Sequence, residues 1–332
     1  MKVLILAGGF ATRLWPLTEK RAKPLLLLDG KTILAHIFDQ IPQDADVYLL
    51  TNKKFEKDFE KECQKCQRTR VQIFCEDAYS DGEKLGALRA LSVAIREFKI
   101  VENVFVFAGD NLLPELRIEQ IMCSVYESCI AVREVETLEE ARKFGVIEIK
   151  NQRAENRDQM SNSKYKIQNT EIINFEEKPS EPKSRLVSTG FACIGSNLFP
   201  ILHIFANESP DALGSIFTEF LRCKKTVLAA KVGGEWFDVG SFETYLEAHR
   251  KLQKQNLQKD KNVQEKGNLF SGKVFIGEGA QITNCQILDS IIYPGCRLRN
   301  CHISRSILDE NCDLEGLDIN QKLIRKGTIL KV

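Results

Sequence analysis

No apolar run in this 332-residue sequence approaches the roughly 20 residues of a membrane span. An excess of one charge sign is also missing. The 47 Lys and Arg balance 46 Asp and Glu, giving a formal net charge of +1, so no bulk field draws the chain to nucleic acid or to an anionic membrane, and neither is expected as a partner. There are only four histidines. No Ser-His-Asp or Cys-His arrangement stands out, which leaves covalent catalysis without an activated nucleophile. The 11 cysteines contain one CxxC, Cys63-Gln-Lys-Cys66. No second pair answers it, and its flanks are charged and helical in pattern, so two helix-borne thiols are expected rather than a zinc or redox centre. The first apolar run is broken by Gly8-Gly9 and Arg13, too early for a secretory leader. Reduced thiols in the cytoplasm are the expected setting.

The length suits one large domain and a smaller one. Short apolar strands alternate with helical patterns: Val3–Leu6, Val47–Leu50, Val71–Cys75, Val104–Phe107 and Cys129–Val132 against 32–40, 55–64, 84–98 and 118–128. That alternation predicts an α/β fold, a Rossmann-like, mostly parallel sheet with helices on both faces. The polar stretch Lys150–Thr170 reads as a hairpin tip or mobile loop. A catalytic domain is expected over 1–250 and a charged linker over 251–270.

The tail, 271–332, has a different pattern. Cys285, Ser290 and Cys296 recur 16 residues later as Cys301, Ser306 and Cys312. Ile, Leu, Cys or Val returns every five or six residues between them. This is the pattern of a short β-solenoid with three faces per coil, in which buried cysteines act as small hydrophobes. Its open end is a candidate surface for homo-oligomerisation.

The opening MKVLILAGGFATRLWPLTEKRAKPLLLL places a buried strand before Gly8-Gly9 and then two cations, Arg13 and Lys23. Glycine lets backbone N–H groups approach a ligand, and donors beside cations suit a phosphate. The stretch is neither G-x-G-x-x-G nor G-x-x-x-x-G-K-[ST], so dinucleotide and P-loop sites are disfavoured. Further along stand Gly86-Ala87-Leu88, Phe107-Ala108-Gly109-Asp110-Asn111, Phe144-Gly145-Val146, Phe175-Glu176-Glu177-Lys178-Pro179, Ser188-Thr189-Gly190 and Trp236-Phe237-Asp238-Val239-Gly240.

In this order these segments resemble the signature of the sugar-1-phosphate nucleotidyltransferases over roughly residues 1–250, with Ala11 where a glycine is usual before Thr-Arg. Several branches of that family also end in a short left-handed β-helix. The resemblance implies attack of a sugar-1-phosphate oxygen on the α-phosphorus of an NTP, with pyrophosphate leaving and Mg2+ as cofactor. Asp110 and Asp238 would hold the metal. Lys178 would hold the sugar phosphate, Arg13 the β- and γ-phosphates, and Lys23 the phosphates near the point of attack. Leu6, Ala7, Gly8, Gly9, Gly86 and Asp110 would line the nucleotide; Gly145, Glu177 and Thr189 the sugar. The base would be read by Glu76–Gly86, which lacks both the glutamine form of thymidylyltransferases and the full Leu-Gly-Thr-Ala-Gly form of guanylyltransferases. The resemblance leans to glucose-1-phosphate with dTTP or UTP. Mannose-1-phosphate with GTP is the alternative, and an idle regulatory subunit is the reading from another class.

Overall fold

The structure, a computed structural model, describes residues 1–150, 169–211 and 213–332. Most of the expected hairpin tip at 150–170 lies outside the described residues. The chain divides into two compact units: Met1–Gly9 with Ile37–Trp236, and Phe10–His36 with Phe237–Val332.

The first unit is built on β1 (Lys2–Leu6), β2 (Asp46–Asn52), β3 (Val71–Glu76), β4 (Val104–Ala108), β5 (Glu127–Glu134), β6 (Gly145–Ile149), β7 (Thr170–Glu177), β8 (Leu186–Ile194) and β9 (Thr226–Lys231). They form one nine-stranded sheet in the order β3-β2-β1-β4-β8-β5-β9-β7-β6. The expected parallel core is present, since β3, β2, β1 and β4 run the same way. Antiparallel β8 then extends it, pairing with β4 and β5, and β7 pairs antiparallel with β9 and β6. β1 is wholly buried at Val3, Leu4 and Ile5, as a strand covered on both faces must be.

Register positions the ligand end of the sheet. Leu6 pairs with Leu50 and with Ala108, and Asn52 pairs with Glu76. Gly8, Asn52, Glu76 and Asp110 therefore leave the sheet side by side at its carboxyl edge, where open α/β sheets take ligands. Among the covering helices, α1 (Ile33–Asp39), α2 (Glu56–Lys65) and α3 (Ala87–Glu97) fall close to expectation. α3 buries Leu88, Leu91, Ser92 and Ile95, the stripe that a 3.6-residue period gives to one face. The helix expected over 118–128 is a single turn, Ile118–Ile121. β5 claims its end, because Glu127 and Ser128 pair with Thr226 and Val227 of β9. Tertiary pairing here overrides a local helical pattern.

In the second unit, α4 (Phe242–Leu252) leads into three parallel sheets of five, five and four short strands. The arrangement matches the expected left-handed β-helix, but it starts earlier. The stretch expected as linker, 251–270, already carries strands Leu257–Lys259, Gln264–Lys266 and Leu269–Ser271, each paired with the coil above it. Their charged residues point outward, which hid the pattern, while Leu257, Val263 and Phe270 pack on the solenoid core. Neighbouring coils are offset by 17 residues at first (Leu257 to Val274) and by 16 afterwards (Gln281 to Arg297).

Each corner of the solenoid is a left-handed residue. One row is Asn262, Gly279, Gly295, Asn311 and Gly327; a second is Gly267, Asn284, Asn300 and Gly316. Glycine and asparagine adopt that conformation at little cost, which is why they recur there. Inside, Cys285, Cys296, Cys301 and Cys312 are essentially inaccessible, the filler role expected of them.

Candidate active site

At the edge of the parallel strands the backbone is handed from sheet to site. The Ala7 N–H donates to the Leu50 carbonyl and the Leu6 carbonyl accepts from the Gly109 N–H. Those groups of Leu6 and Ala7 therefore extend the sheet. Gly8 is the first residue beyond it, and its carbonyl accepts from Asn52 Nδ2 at 3.0 Å. A Cβ on Gly8 would stand 3.1 Å from Glu76 Oε1. Gly9 is exposed with nothing within 4 Å of a Cβ position.

Glu76 is the site residue that sequence reasoning left unnamed within its segment. It is 6% exposed, and its Oε2 accepts from the Leu85 N–H at 2.8 Å. Burial, more than anything else, pushes its carboxyl above the ordinary range, against the pull of that N–H and of Lys84. The readable signal is an acid ending a strand, β3, that pairs with β2, the neighbour of β1. Gly86 follows with φ +89°, and any Cβ there would strike the Pro210 carbonyl. That carbonyl instead accepts from Leu88 and Arg89 N–H groups at 2.9 and 3.1 Å and starts α3. Gly86 thus fixes the wall beside Glu76.

Asp110 follows β4 and is half-buried. Asn111 Nδ2 donates to its Oδ1 at 2.9 Å, and Trp236 Nε1 donates to Asn111 Oδ1 at 2.8 Å. The tryptophan orients the asparagine, which orients the carboxylate. Trp236 also packs on Phe144, ring centroids 4.8 Å apart. Gly190, φ +84°, lets β8 come close, with a Cβ position 3.0 Å from Ala108 Cβ.

The sugar-side residues meet at the β6–β7 pair, where Glu177 stands opposite Gly145. A Cβ on Gly145 would stand 3.2 Å from Glu177 Oε2, and one on Gly214 would overlap that carboxylate. Two bare backbones thus flank one acid. Burial is the leading cause holding the Glu177 carboxyl above the usual range, although Lys178 Nζ lies 3.8 Å away. Lys178 has φ +47°, and its N–H donates to the Phe144 carbonyl at 3.0 Å, presenting a side chain that is 64% exposed. Thr189 departs from expectation in detail. Its hydroxyl donates to the Ala131 carbonyl at 2.9 Å and the residue is 1% exposed, so its side chain braces the sheet.

Arg13, Lys23 and Asp238 belong to the second unit. Arg13 is exposed on the turn Thr12–Leu14, and Lys23, half-buried, opens the turn Lys23–Leu25. Asp238 is half-buried two residues after Trp236. Among the described residues no three His, Cys, Asp or Glu gather as a metal cluster. The CxxC thiols are pushed up to about 11 at Cys63 and about 12 at Cys66, chiefly by burial, which suits neither metal binding nor redox chemistry. No helix among the described residues is long and apolar enough to cross a membrane.

A nucleotidyl transferase family profile matches residues 2–255. The chain is 29% identical over 289 residues to the bifunctional protein GlmU of Methanocaldococcus jannaschii, covering 84% of this chain and 61% of that protein. It thus spans less than two thirds of the length of that relative. It is 28% identical over 263 residues to the UTP–glucose-1-phosphate uridylyltransferase AglF of Haloferax volcanii, covering 78% of this chain and 99% of AglF. Among solved structures, a Bacillus anthracis chain in complex with sucrose aligns with TM-score 0.61 at 22% identity, over 77% of this chain and 96% of that one. UDP-glucose pyrophosphorylase complexed with UDP-glucose gives TM-score 0.58 at 19% identity, over 75% and 97%. These two likenesses establish the fold, and the profile match establishes the lineage: this chain belongs to the nucleotidyl transferase family.

Proposed function

We propose that this protein transfers a nucleotidyl group from an NTP to a sugar-1-phosphate and releases pyrophosphate. The observation that carries the reading is the carboxyl edge of the first unit's sheet. There a glycine turn after β1, an oriented aspartate after β4 and a Glu-Lys pair ending β7 belong to one compact body. Both reactants are anions, so catalysis is mainly alignment and charge neutralisation.

The sugar phosphate oxygen forms the new bond to the α-phosphorus as the α–β bridging bond breaks, and pyrophosphate takes the electron pair. Lys178, projecting from its left-handed turn, holds the sugar phosphate. Glu177 accepts hydrogen bonds from sugar hydroxyls, and Gly145 and Gly214 keep space free around it. Arg13 and Lys23 neutralise the triphosphate. Asp110 and Asp238 supply hard carboxylate oxygens, the donors magnesium takes together with substrate phosphates. The fit to that ion rests on Asp110, whose carboxylate accepts from Asn111, itself oriented by Trp236. When bound, Mg2+ would neutralise phosphate charge and orient the leaving group.

Glu76 supports a uracil or thymine base. One of its oxygens is occupied by the Leu85 N–H. The other can accept the single N3–H that a pyrimidine imide offers, whereas guanine presents N1–H and the 2-amino group together. Glucose-1-phosphate is the preferred sugar in this reading, AglF being a relative whose name carries it.

The test is pyrophosphate release with magnesium from dTTP, UTP, GTP, ATP and CTP against glucose-, mannose-, galactose- and N-acetylglucosamine-1-phosphate. Release highest with UTP or dTTP and glucose-1-phosphate is the expected result. Highest release with GTP and mannose-1-phosphate would overturn the substrate assignment. No release from any pair, with nucleotide still bound, would overturn the enzyme reading in favour of a regulatory subunit.

A further inference from the structure

The 16-residue repeat leaves one row of positions that the solenoid core does not use: Tyr293, Asp309 and Arg325, at the same place in three successive coils. Each grips the loop that carries Arg13 and Lys23. At the last coil, Arg325 Nε and Nη2 donate to the two Glu19 carboxylate oxygens at 3.0 and 2.6 Å, and its guanidinium lies 5.9 Å from the Trp15 ring centroid. One coil earlier, Asp309 Oδ1 stands 3.3 Å from Arg21 Nη1, while the neighbouring Glu310 pairs with Arg21 Nη2. One coil earlier again, the Arg21 guanidinium lies 4.7 Å from the Tyr293 ring centroid, and the Tyr293 hydroxyl accepts the Leu27 N–H at 3.2 Å. Tyr245 of α4 completes the grip, donating to the Leu27 carbonyl at 2.6 Å, with the two phenol oxygens 2.8 Å apart. The loop thus runs along the solenoid in register, one anchor per coil, and these partners all lie in the second unit.

The chemistry of these anchors favours placement over stability. Coils stack about 4.8 Å apart, so a loop held on three of them cannot slide by a residue without breaking every grip. Arg21 is only 16% exposed and faces Asp309 at 5%. Burying such a pair is costly in desolvation, and apolar packing would stabilise as well or better. What fork-shaped guanidinium–carboxylate bonds add is fixed geometry. Lys23 lies two residues beyond Arg21, and Arg13 six before Glu19.

We propose that Arg21, through this row on the β-helix, is a positioning residue for nucleotidyl transfer. The solenoid serves as a ruler that sets where the loop's two phosphate-binding cations stand. The proposal rests on the roles given to Arg13 and Lys23 in the proposed function.

The experiment compares full-length wild type with Arg21→Met, Arg21→Lys, Asp309→Asn and the swap Arg21→Asp with Asp309→Arg. Two readouts are used: steady-state kinetics on the substrate pair that the pyrophosphate-release panel selects, and amide hydrogen exchange over residues 12–27. Arg21→Met is expected to lower kcat about 10- to 100-fold, the scale of an ångström-sized misplacement, with the sugar-1-phosphate KM within about twofold. Exchange over 12–27 rises while that of β1 and β4 stays as in wild type. Asp309→Asn and Arg21→Lys fall between, and cover the case in which Arg21→Met fails to fold. The swap recovers part of kcat.

The proposal is overturned if the loop loses protection while kcat stays within about twofold, or if kcat falls with loop protection unchanged. It is also overturned if the swap is no better than Arg21→Met. Wild type that releases no pyrophosphate would instead sink the underlying functional reading, and the positioning role with it.

Discussion

The two units build their cores by different rules, and the difference decides what each can do. The sheet unit buries a mixed set of large side chains, among them Phe74, Leu88, Phe175, Phe199 and Phe220, drawn from strands and helices far apart in sequence. The β-helix buries the same small set coil after coil: Ile282, Leu298 and Leu314 in one column, Ile287, Ile303 and Ile319 in another. In the first case any element depends on several distant ones. In the second each coil depends on its two neighbours, as in other solenoids. The varied core can shape a chemical site at one edge. The repetitive core can offer evenly spaced positions, as the row Tyr293, Asp309 and Arg325 does.

The strongest way to separate the two is to remove chemistry and leave both cores alone. Asp110→Ala deletes a carboxylate at the end of β4 without opening a cavity. Turnover should fall by about 10²–10³ or more, the scale of losing one well-placed electrostatic group. Both thermal transitions should stay within a few degrees of wild type. An active Asp110→Ala protein would remove Asp110 from the metal site.

A second contrast strikes each core in turn. Leu91→Ala in α3 and Leu298→Ala in the solenoid both truncate residues with no exposure. Each should cost about 2–5 kcal/mol. Leu91→Ala should lower the unfolding midpoint of the sheet unit and bring activity down with it. Leu298→Ala should lower only the solenoid transition, read by urea unfolding with hydrogen exchange. A single shared transition shifted equally by both would show that the cores are not independent.

Sequence alone carried a good part of this. The glycine turn after β1, the strand-end aspartate and the 16-residue repeat were legible, because each is a local pattern with one physical cause. What escaped depends on distance in sequence. The row at 293, 309 and 325 shows its spacing, but nothing in a Tyr, an Asp and an Arg reveals that they face residues 15–27. Glu76 looks like any acid until β3 is placed beside β2, which puts its end level with Asn52 and the glycine turn after β1. The first solenoid coil looks like linker in the sequence because Lys259, Glu265 and Lys266 mask a core that needs only Leu257, Val263 and Phe270, although Asn262, Gly267 and Gly272 already mark its three corners. The catalytic domain expected over 1–250 also takes in residues 10–36, which group with the tail.

The smallest effect sharpens the comparison through one histidine in each unit. His203 on the helix Phe199–Glu208 is half-buried, and its Nδ1 lies 2.8 Å from the Ser92 hydroxyl. His249 on α4 is fully buried, and among the described residues its ring nitrogens make no well-formed hydrogen bond. Burial pushes both below the ordinary imidazole value, His249 to about 4, against the opposing pull of Lys273's backbone and of Asp289. The folded pKa thus lies below that of the unfolded chain, near 6.5. Between those values the unfolded chain binds the proton more readily, so stability rises with pH across this window. The contribution is complete above about pH 6.5 and is lost as pH falls toward 4. From pH 7 to pH 5 the loss should be on the order of 1–2 kcal/mol. It should appear in the solenoid transition more than in that of the sheet. His249→Leu keeps the volume and removes the proton, so its solenoid transition should be nearly flat over that range and, at pH 7, as stable as wild type, since two polar atoms without a well-formed hydrogen bond are removed with the ring. Calorimetric melting at pH 7 and pH 5 checks it. Equal acid sensitivity in wild type and His249→Leu would place the acid-labile group elsewhere.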